Sequence, residues 1–323
     1  MVLVLSGKDV ESLIDLSNIA DKVEDAQIKQ DAGAVERPAR PHYPVGVGLQ
    51  DDDPLGTGLV MPAYIHGSDY FATKLVSIHE ENSEKKLPTL HAQLILANAH
   101  TGKPVSVMDA NNITNARTGC IGGLAARELA TKPVNLAVIG AGVQARWQTR
   151  AVNALCELQS VSIYSPSDSK YDIVDKLSSI GIPASAAESA ELAVQKSNVV
   201  ITTTTSTDPV FSTDAIQAGT LIIGIGAFRS DMQELESDLF NQADLVFADV
   251  PREVIKIGDL TATSLSKDLL IPLSRAFEGE ISRTSDSDII VVESVGSAVF
   301  DAATAAHIYT SALDQDLGSN IDM

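Results

Sequence analysis

Apolar and polar positions follow different patterns in the two parts of the chain. After two helices expected to begin at Ser6 and Ser17, the N-terminal part shows short alternating runs separated by turn residues, which predicts an antiparallel sheet. The predicted strands are Gly56–Tyr64, Tyr70–His79, Leu90–Ala97 and Pro104–Met108. A long helix is expected over Asn112–Thr131. Its many glycines and alanines predict close packing against another backbone or a bound cofactor.

From Val134 onward, continuous apolar runs alternate with segments of helical periodicity. This alternation predicts repeated βαβ units and therefore a doubly wound parallel sheet. The predicted strands span 134–139, 160–165, 198–203, 219–225, 244–250 and 288–292. An alanine-rich helix is expected over 296–313. The sequence therefore predicts an α/β domain at 116–291, inserted in an α+β domain that is formed by 1–115 and 292–323.

The first strand of the parallel series leads into a glycine motif, Gly140-Ala141-Gly142-Val143-Gln144-Ala145, and then into a helix. This order of elements is the context that a dinucleotide-binding fingerprint requires. Gly140 can form the tight turn, Gly142 leaves room for a pyrophosphate at the helix N-terminus, and Ala145 allows close packing of helix and strand. The motif predicts a nicotinamide or flavin nucleotide, and a purely structural turn is the alternative.

Composition excludes several classes of partner. With 43 acidic and 23 basic residues, the net charge is −20, a field that repels nucleic acid and anionic membranes. The start of the chain lacks a basic lead and a cleavage site, and no apolar run has transmembrane length, so a cytoplasmic protein is expected. Cys120 and Cys156 are expected to be free thiols. The six histidines show no ligand spacing, and we expect no metal.

Three basic residues of the N-terminal part are candidates for chemistry. Lys74 lies within an apolar strand, Arg40 lies in a proline-rich segment, and Arg117 lies near the start of the long helix. Taken alone, Lys74 is more typical of an exposed sheet face, along which its stem would lie. Near a nicotinamide, the two arginines would form a carboxylate clamp and the lysine would be a proton donor.

A series of short motifs runs in order along nearly the whole chain. They are Met61-Pro62-Ala63-Tyr64, Lys74-Leu75-Val76, Leu87-Pro88-Thr89, Thr101-Gly102-Lys103-Pro104, Ile113-Thr114-Asn115-Ala116-Arg117-Thr118, the glycine motif with Gln144-Ala145, Gln233-Glu234-Leu235 and Ser294-Val295-Gly296-Ser297-Ala298. Together they resemble the ornithine cyclodeaminase/mu-crystallin family, which includes archaeal alanine dehydrogenases and ketimine reductases. The resemblance implies a homodimer in which a Rossmann-like nucleotide domain is inserted in an α+β substrate and dimerisation domain.

The resemblance also completes the expected site. It implies that Lys74, Arg40 and Arg117 are catalytic residues at the substrate carboxylate. Further candidates for the substrate pocket are Met61, Phe228 and His42, although His42 fits a plain loop histidine equally well. The expected cofactor-binding residues are Thr118, Gly140, Gly142, Val143, Gln144, Ala145, Ser165, Ser167, Thr203, Gly226, Ala227, Val295 and Gly296.

One position departs from the family pattern. Cyclodeaminases and archaeal alanine dehydrogenases have an aspartate after the fifth nucleotide-domain strand, where Phe228 stands in this chain. An aromatic ring cannot accept a proton from an amine, whereas it can pack on a preformed cyclic imine. Asp231 could replace the missing aspartate, but a cap of a helix beginning near Gln233 is the preferred interpretation. Asp301 lies in the predicted C-terminal helix, and the sequence leaves two roles for it: a polar residue that lines the pocket, or an exposed acid.

We therefore expect reduction, with NADPH or NADH, of a cyclic ketimine carboxylate such as Δ1-pyrroline-2-carboxylate or Δ1-piperideine-2-carboxylate. The alternatives are, in order, an NAD-dependent ornithine cyclodeaminase, an alanine dehydrogenase and a mu-crystallin-like protein that binds a small ligand.

The loop after the second nucleotide-domain strand bears on cofactor choice. NAD-specific folds usually place an acid there to bind the ribose hydroxyls, and no acid directly follows Tyr164. Ser165 and Ser167 can donate hydrogen bonds to a 2′-phosphate, and Lys170 can add positive charge. Asp168 is the counter-argument, because it could turn in and favour NAD. We predict a preference for NADPH.

The acidic residues are dispersed apart from a short run at Asp51-Asp52-Asp53, which is typical of a solvated surface. We hypothesise that this surface is adapted to high salt, as in halophilic proteins. The free energy of unfolding should then rise with KCl concentration, because salt screens the repulsion among like charges. Denaturant titrations at increasing KCl measure this, and full stability in dilute buffer would contradict it.

Overall fold

The computed structural model describes residues 1–49 and 52–322, so Asp51 of the acidic run lies outside the described residues. The chain divides into two compact units. The first comprises Met1–Asp15, Lys29–Arg117 and Ala298–Met323, and the second comprises Leu16–Ile28 and Thr118–Ser297. Among the described residues, no helix has both the length and the apolar character that crossing a membrane requires.

Within its described residues, the first unit contains one eight-stranded sheet. Its strands are β1 (Val2–Leu5), β2 (Val35–Glu36), β3 (His42–Val45), β4 (Gly56–Ile65), β5 (Tyr70–Ile78), β6 (Leu90–Asn98), β7 (Pro104–Asp109) and β16 (Ser319–Ile321). The order is β16-β1-β7-β6-β5-β4-β2, and β3 also pairs with β4. Only β1 and β7 run parallel, so the four predicted strands form the expected antiparallel meander.

Two helices lie wholly in the first unit, α1 (Gly7–Ser12) and α11 (Ala298–Asp314). A capping box confirms the predicted start of α1: Asp9 N donates to Ser6 Oγ at 3.3 Å, and Ser6 N donates to Asp9 Oδ2 at 2.9 Å. The alanine-rich helix α11 packs across β4, β5 and β6. It therefore places its first turns over the middle of β5. Two further helices, α2 (Leu16–Asp31) and α3 (Asn111–Leu129), each contribute residues to both units.

The second unit contains an eight-stranded parallel sheet in its described residues. Its strands are β8 (Val134–Ile139), β9 (Leu158–Tyr164), β10 (Ala184–Ala186), β11 (Val199–Thr202), β12 (Leu221–Gly224), β13 (Leu245–Ala248), β14 (Ile271–Pro272) and β15 (Ile290–Glu293). Every residue of β11, β12 and β15 is buried, which explains their continuous apolar runs. The order β10-β9-β8-β11-β12 is that of a Rossmann fold, and β15 is inserted next, between β12 and β13. The predicted doubly wound fold is confirmed.

Helices occupy most of the connections of this sheet, and a 3-10 turn at Thr213–Ala215 lies between β11 and β12. The helices are α4 (Val143–Leu155), α5 (Ser169–Ser178), α6 (Ala190–Gln195), α7 (Ser237–Gln242), α8 (Pro251–Val254), α9 (Gly258–Thr261) and α10 (Ser274–Phe277). The expectation of a helix near Gln233 is wrong, because the next helix, α7, begins only at Ser237. Asp231 is therefore no helix cap, and its carboxylate pairs with Arg229 at 3.0 Å.

The small residues of α3 pack against a helix. A Cβ atom on Gly119 would lie 2.7 Å from the carbonyl oxygen of Trp147, and one on Gly123 would lie 3.0 Å from that of Ala151. Both carbonyls belong to α4, so the glycines allow the two helix backbones to approach closely. Cys120, on the same helix, is buried, Cys156 ends α4, and both are free thiols as predicted.

Candidate active site

The first unit brings three ionised side chains together in its interior. Lys74 Nζ lies 2.6 Å from Asp301 Oδ2, and Arg117 Nε lies 2.9 Å from Asp301 Oδ1. The side chains of Lys74, Asp301 and Arg117 are only 2%, 1% and 7% exposed, respectively. Lys74 Nζ also donates to Thr114 Oγ1 at 3.2 Å. The interpretation of Lys74 as an exposed strand residue is therefore wrong, and Asp301 is buried next to it.

Burial and the neighbouring charges together set the pKa values of this cluster. The pKa of Lys74 is lowered to about 8, mainly by burial and also by the positive charges of Arg117 and Arg40, against the charge of Asp301, which raises it. Burial by itself would raise the pKa of Asp301, but Arg117 and Lys74 outweigh it and hold that pKa below its ordinary value. Lys74 is thus an ammonium near neutral pH that can release its proton readily.

The other site residues predicted in the first unit are Met61, Arg40 and His42, and they differ in how they relate to Lys74. Met61 is directly opposite Lys74 on β4 and is buried. Arg40 is half-buried and close enough to act on Lys74 electrostatically. His42 is exposed on β3, opposite Leu59, and the structure shows no contact of it with Lys74.

The glycine motif of the second unit has the predicted conformation. Gly140 has a φ of +116°, and a Cβ atom there would lie 2.6 Å from Thr203 Oγ1, so a side chain does not fit. Gly142 precedes α4 and faces open space. A pocket of about 580 Å³ adjoins the motif. Its lining includes Gly140, Ala141, Gly142, Tyr164, Ser165, Ser169, Thr203 and Thr204. These features fit a dinucleotide whose pyrophosphate lies at the N-terminus of α4.

The loop after β9 forms one wall of this pocket. Ser165 lines the pocket, and its Oγ lies 3.2 Å from Ser167 Oγ. Lys170 Nζ lies 5.3 Å from the centre of the Tyr164 ring and donates to Ala187 O at 3.3 Å. Asp168 is exposed and is not among the residues that line the pocket.

Glu234 holds two neighbouring loops of the second unit. Its Oε1 accepts from Thr204 N at 2.5 Å and from Thr204 Oγ1 at 2.7 Å, in the loop after β11. Its Oε2 accepts from Gly226 N at 2.8 Å and from Ala227 N at 3.2 Å, in the loop after β12. Three predicted cofactor residues, Thr203, Gly226 and Ala227, lie in these loops. Burial raises the pKa of Glu234 to about 7, against the hydrogen bonds that lower it.

Two more buried acids, Asp249 and Asp259, also accept hydrogen bonds from the backbone of neighbouring segments. Asp249 Oδ2 accepts from Ser294 Oγ and from Gly296 N, both at 2.7 Å, and Oδ1 accepts from Val295 N at 3.1 Å. Asp259 Oδ1 accepts from the backbone N–H groups of Glu234 and Leu235 at 2.7 and 2.8 Å. These carboxylates therefore fix the loop that carries Val295 and Gly296, and the segment that carries Glu234.

Glu293 differs from these acids. It is fully buried, and neither of its carboxylate oxygens has a hydrogen-bond partner in the described part of the chain. Burial, followed by the charges of Asp259, Glu234 and Asp249, raises its pKa well above the ordinary value. Glu293 therefore binds a proton more tightly in the folded than in the unfolded protein.

The remaining predicted residues have separate positions. Phe228 follows β12 with 49% of its surface exposed. Thr118 is half-buried on α3, and its carbonyl accepts from Gln148 Nε2 at 2.9 Å. The first turn of α4 carries Val143, which is exposed, and Ala145, which is buried, with Gln144 half-buried between them. No group of three or more His, Cys, Asp or Glu side chains is arranged for a metal ion within the described residues.

The sequence carries no local sign of the roles of Glu234, Asp249, Asp259 and Glu293, although Gln233-Glu234-Leu235 is a motif of the resembling family. The pairing of Asp301 has no local sign either, because nothing near it in the chain marks an acid on an alanine-rich helix as the partner of a lysine that is distant in sequence.

The substitution Glu293→Gln removes the ionisable carboxyl group and keeps the size of the side chain. A glutamate with a raised pKa stabilises the fold fully below its unfolded pKa of about 4.3, and this contribution is lost as the pH rises through the folded value. Between pH 4 and pH 8, the wild-type protein should therefore lose more unfolding free energy than the variant. Urea denaturation at both pH values measures this. Glu280→Gln, at an exposed ion pair with Arg275, is the control, and equal losses in wild type and Glu293→Gln would contradict the prediction.

Known proteins share this fold over its whole length. Alanine dehydrogenase of Archaeoglobus fulgidus is 33% identical to this chain and covers 99% of it, over 98% of its own length. The structure of Thermococcus litoralis Δ1-pyrroline-2-carboxylate reductase in complex with NADH and L-proline is 31% identical, with a TM-score of 0.91 over 99% of this chain and 100% of that one. An archaeal alanine dehydrogenase dimer with bound NAD is 31% identical, with a TM-score of 0.88 over 99% of both chains.

The chain also matches a protein-family model over nearly its whole length. Residues 2–316 match the sequence model of the ornithine cyclodeaminase/mu-crystallin family. That span contains the glycine motif, the lysine of β5 and the loops held by the buried carboxylates. This chain therefore belongs to the ornithine cyclodeaminase/mu-crystallin family.

Proposed function

We propose that this protein is an NAD(P)H-dependent oxidoreductase that acts on a C–N bond and reduces a cyclic ketimine carboxylate to the cyclic amino acid. Δ1-Pyrroline-2-carboxylate and Δ1-piperideine-2-carboxylate are the candidate substrates. The observation that carries the proposal is the buried cluster of Lys74, Arg117 and Asp301, which contains two cations and one anion. A substrate carboxylate would balance the surplus positive charge.

Each basic residue then has a defined task. Arg117 and Arg40 bind the substrate carboxylate and orient the ring. Lys74 donates a proton to the imine nitrogen, which suits an ammonium whose pKa is about 8. NAD(P)H, when bound by the second unit, would supply the hydride for the imine carbon. The C=N double bond becomes a single bond, and Lys74 is left neutral until it regains a proton from water.

The second unit holds the cofactor in this proposal. The first turn of α4, with Gly140 and Gly142 before it, binds the pyrophosphate. The N–H groups of Gly226 and Gly296 donate to the carboxylates of Glu234 and Asp249, and the loops that these bonds fix present small side chains to the rest of the dinucleotide. The residues proposed to line this site are Thr118, Val143, Gln144, Ala145, Ser165, Ser167, Thr203, Gly226, Ala227, Val295 and Gly296.

The environment of Phe228 supports reduction of an imine over cyclodeamination. Cyclodeamination needs a base that takes a proton from a charged amine. Phe228 cannot do this, and the hydrogen bond from Arg229 lowers the pKa of Asp231, which makes that carboxylate a weaker base. Alanine dehydrogenation is the second candidate function, because the Archaeoglobus fulgidus relative of that name is as similar as the reductase.

Two further properties belong to this proposal. We propose a homodimer, in line with the dimer of the archaeal alanine dehydrogenase. We also propose the cytoplasm as the compartment, because both cysteines are free thiols, as is usual in a reducing environment.

The choice of reaction is tested with a panel of substrates. Δ1-Pyrroline-2-carboxylate, Δ1-piperideine-2-carboxylate and pyruvate with ammonia are each offered with NADPH and with NADH, and ornithine is offered with NAD. We expect the highest kcat/KM for one of the cyclic imines, with proline or pipecolate as product. Faster turnover of pyruvate would establish alanine dehydrogenase instead. Ammonia release from ornithine at a comparable rate would establish cyclodeamination, and no turnover with intact cofactor binding would establish a binding protein.

The role of Lys74 is tested by substitution and by pH. Lys74→Ala should lower kcat for imine reduction by about 10²–10⁴-fold, the usual contribution of a general acid, and should leave the Kd for NAD(P)H unchanged. In the wild type, the rate of reduction should fall as the pH rises through about 8, because the donor proton is lost. Lys85→Ala, at an exposed lysine, is the control. A Lys74→Ala variant with near-wild-type kcat would exclude Lys74 as the donor.

We propose that NADPH is preferred over NADH. Ser165 lines the pocket at the end of β9, whereas the acid of that loop, Asp168, does not, and the ammonium of Lys170 lies 5.3 Å from the centre of the ring of Tyr164, which also lines the pocket. We expect a higher kcat/KM with NADPH, and Ser165→Asp should reverse the preference, since a carboxylate there repels a 2′-phosphate and binds ribose hydroxyls. Ser179→Asp, at an exposed position, controls for the added charge. A higher kcat/KM with NADH in the wild type would refute the proposal.

A further inference from the structure

Asp301 is a buried acid to which the proposed reaction assigns no role. It lies in the first turn of α11, and its two carboxylate oxygens contact different cations, Lys74 at 2.6 Å and Arg117 at 2.9 Å. Lys74 comes from β5 and Arg117 from α3, so one carboxylate joins three separate elements. A proton donor and a carboxylate-binding arginine thus share a single anionic partner.

Among the described residues, the charges that act on Lys74 come from three elements of the first unit. Asp301 reaches it from α11, Arg117 from α3, and Arg40 acts on it from the segment before β3. The residues paired with Lys74 on the neighbouring strands, Met61 and Leu94, are apolar and buried. Within the described part of the chain, Asp301 is therefore the negative charge that opposes burial and two positive charges at Lys74.

Without that negative charge, the ammonium of Lys74 would be unfavourable. A buried lysine beside two guanidinium groups releases its proton to water, and a neutral amine cannot protonate an imine. Thr114 Oγ1 does not replace the carboxylate, because the hydroxyl carries no charge and donates its own proton to Ala110 O at 2.7 Å.

We propose that Asp301 is a positioning residue of the reaction: it keeps Lys74 charged until the substrate takes the proton, and it holds Lys74 and Arg117 at a fixed spacing. This inference rests on the proposed function. The substrate carboxylate binds to Arg117, whose orientation is fixed from the opposite side by Asp301. The imine nitrogen is one bond from the carbon that bears the carboxylate, so the spacing between the two cations selects 2-carboxylated imines. In this role Asp301 acts through Lys74 and Arg117, the two residues that its carboxylate contacts.

The test compares Asp301→Asn, Asp301→Glu and the control Asp69→Asn, which alters an exposed carboxylate paired with His100 in the same unit. The pH at which the rate of imine reduction falls should move down by about 1–3 units in Asp301→Asn, the range expected when an opposite charge within reach is lost. Asp301→Glu should restore most of this shift, and Asp69→Asn should match the wild type. A fall in kcat at every pH with an unmoved profile would show a merely structural role and overturn the inference.

A second measurement does not depend on turnover. The titration of Lys74 is followed by NMR in protein with ¹³C-labelled lysine side chains, and its signal is identified by its loss in Lys74→Met. We expect the midpoint to fall in Asp301→Asn by the same amount as the kinetic profile. An unmoved midpoint overturns the inference, even if cyclic imines are reduced. A lower midpoint in a protein whose wild type reduces no imine shows that the proposed function has failed, and the role of Asp301 in that reaction fails with it.

If Asp301→Asn does not fold, Asp301→Glu still decides the question. The longer side chain keeps the charge and changes the spacing between Lys74 and Arg117. It should leave the pH profile near that of the wild type and raise the KM for the imine more than it lowers kcat, because the carboxylate-binding arginine is displaced. An unchanged KM would overturn the positioning role.

Discussion

Lys74 is a charged side chain in the interior of the first unit, and its burial constrains the elements around it. Removing an ammonium from water costs several kcal/mol even after the protein has relaxed, so a buried lysine requires a partner. Helix α11 supplies Asp301, and α3 supplies Thr114 and Arg117. The C-terminal helix must therefore lie on the sheet at one position along its length, and that position is set by an ion pair as well as by apolar packing.

The second unit also buries ionisable side chains, but these are acids. Three of its buried acids, Glu234, Asp249 and Asp259, accept hydrogen bonds from backbone N–H groups or hydroxyls in place of water, and these bonds fix segments that follow the parallel strands. Glu234 accepts five hydrogen bonds, whereas Glu293 accepts none from the described residues. The loops expected to hold a dinucleotide are thus shaped by carboxylates that lie behind them.

The helix expected near Gln233 is absent because the backbone there bonds to a residue that is distant in sequence. The segment around Gln233 has a plausible cap in Asp231, yet it forms no helix. The backbone N–H groups of Glu234 and Leu235 donate to Asp259, which lies 25 and 24 residues further along the chain. The sequence pattern also does not predict six of the described strands, β1, β2, β3, β10, β14 and β16, because runs of two to four residues show no measurable period.

The sequence by itself determined the local elements and the chemistry of the glycine motif, because strand and helix periods and the lack of a Cβ atom are properties of neighbouring residues. It also placed Lys74 and Arg117 among the candidates, through motifs of a resembling family. Only the tertiary structure decided that Lys74 is buried, that β15 is inserted between β12 and β13, and that Asp301 pairs with both cations. Those outcomes depend on contacts between residues up to 227 positions apart in the chain, where burial and charge act through space and leave no local pattern.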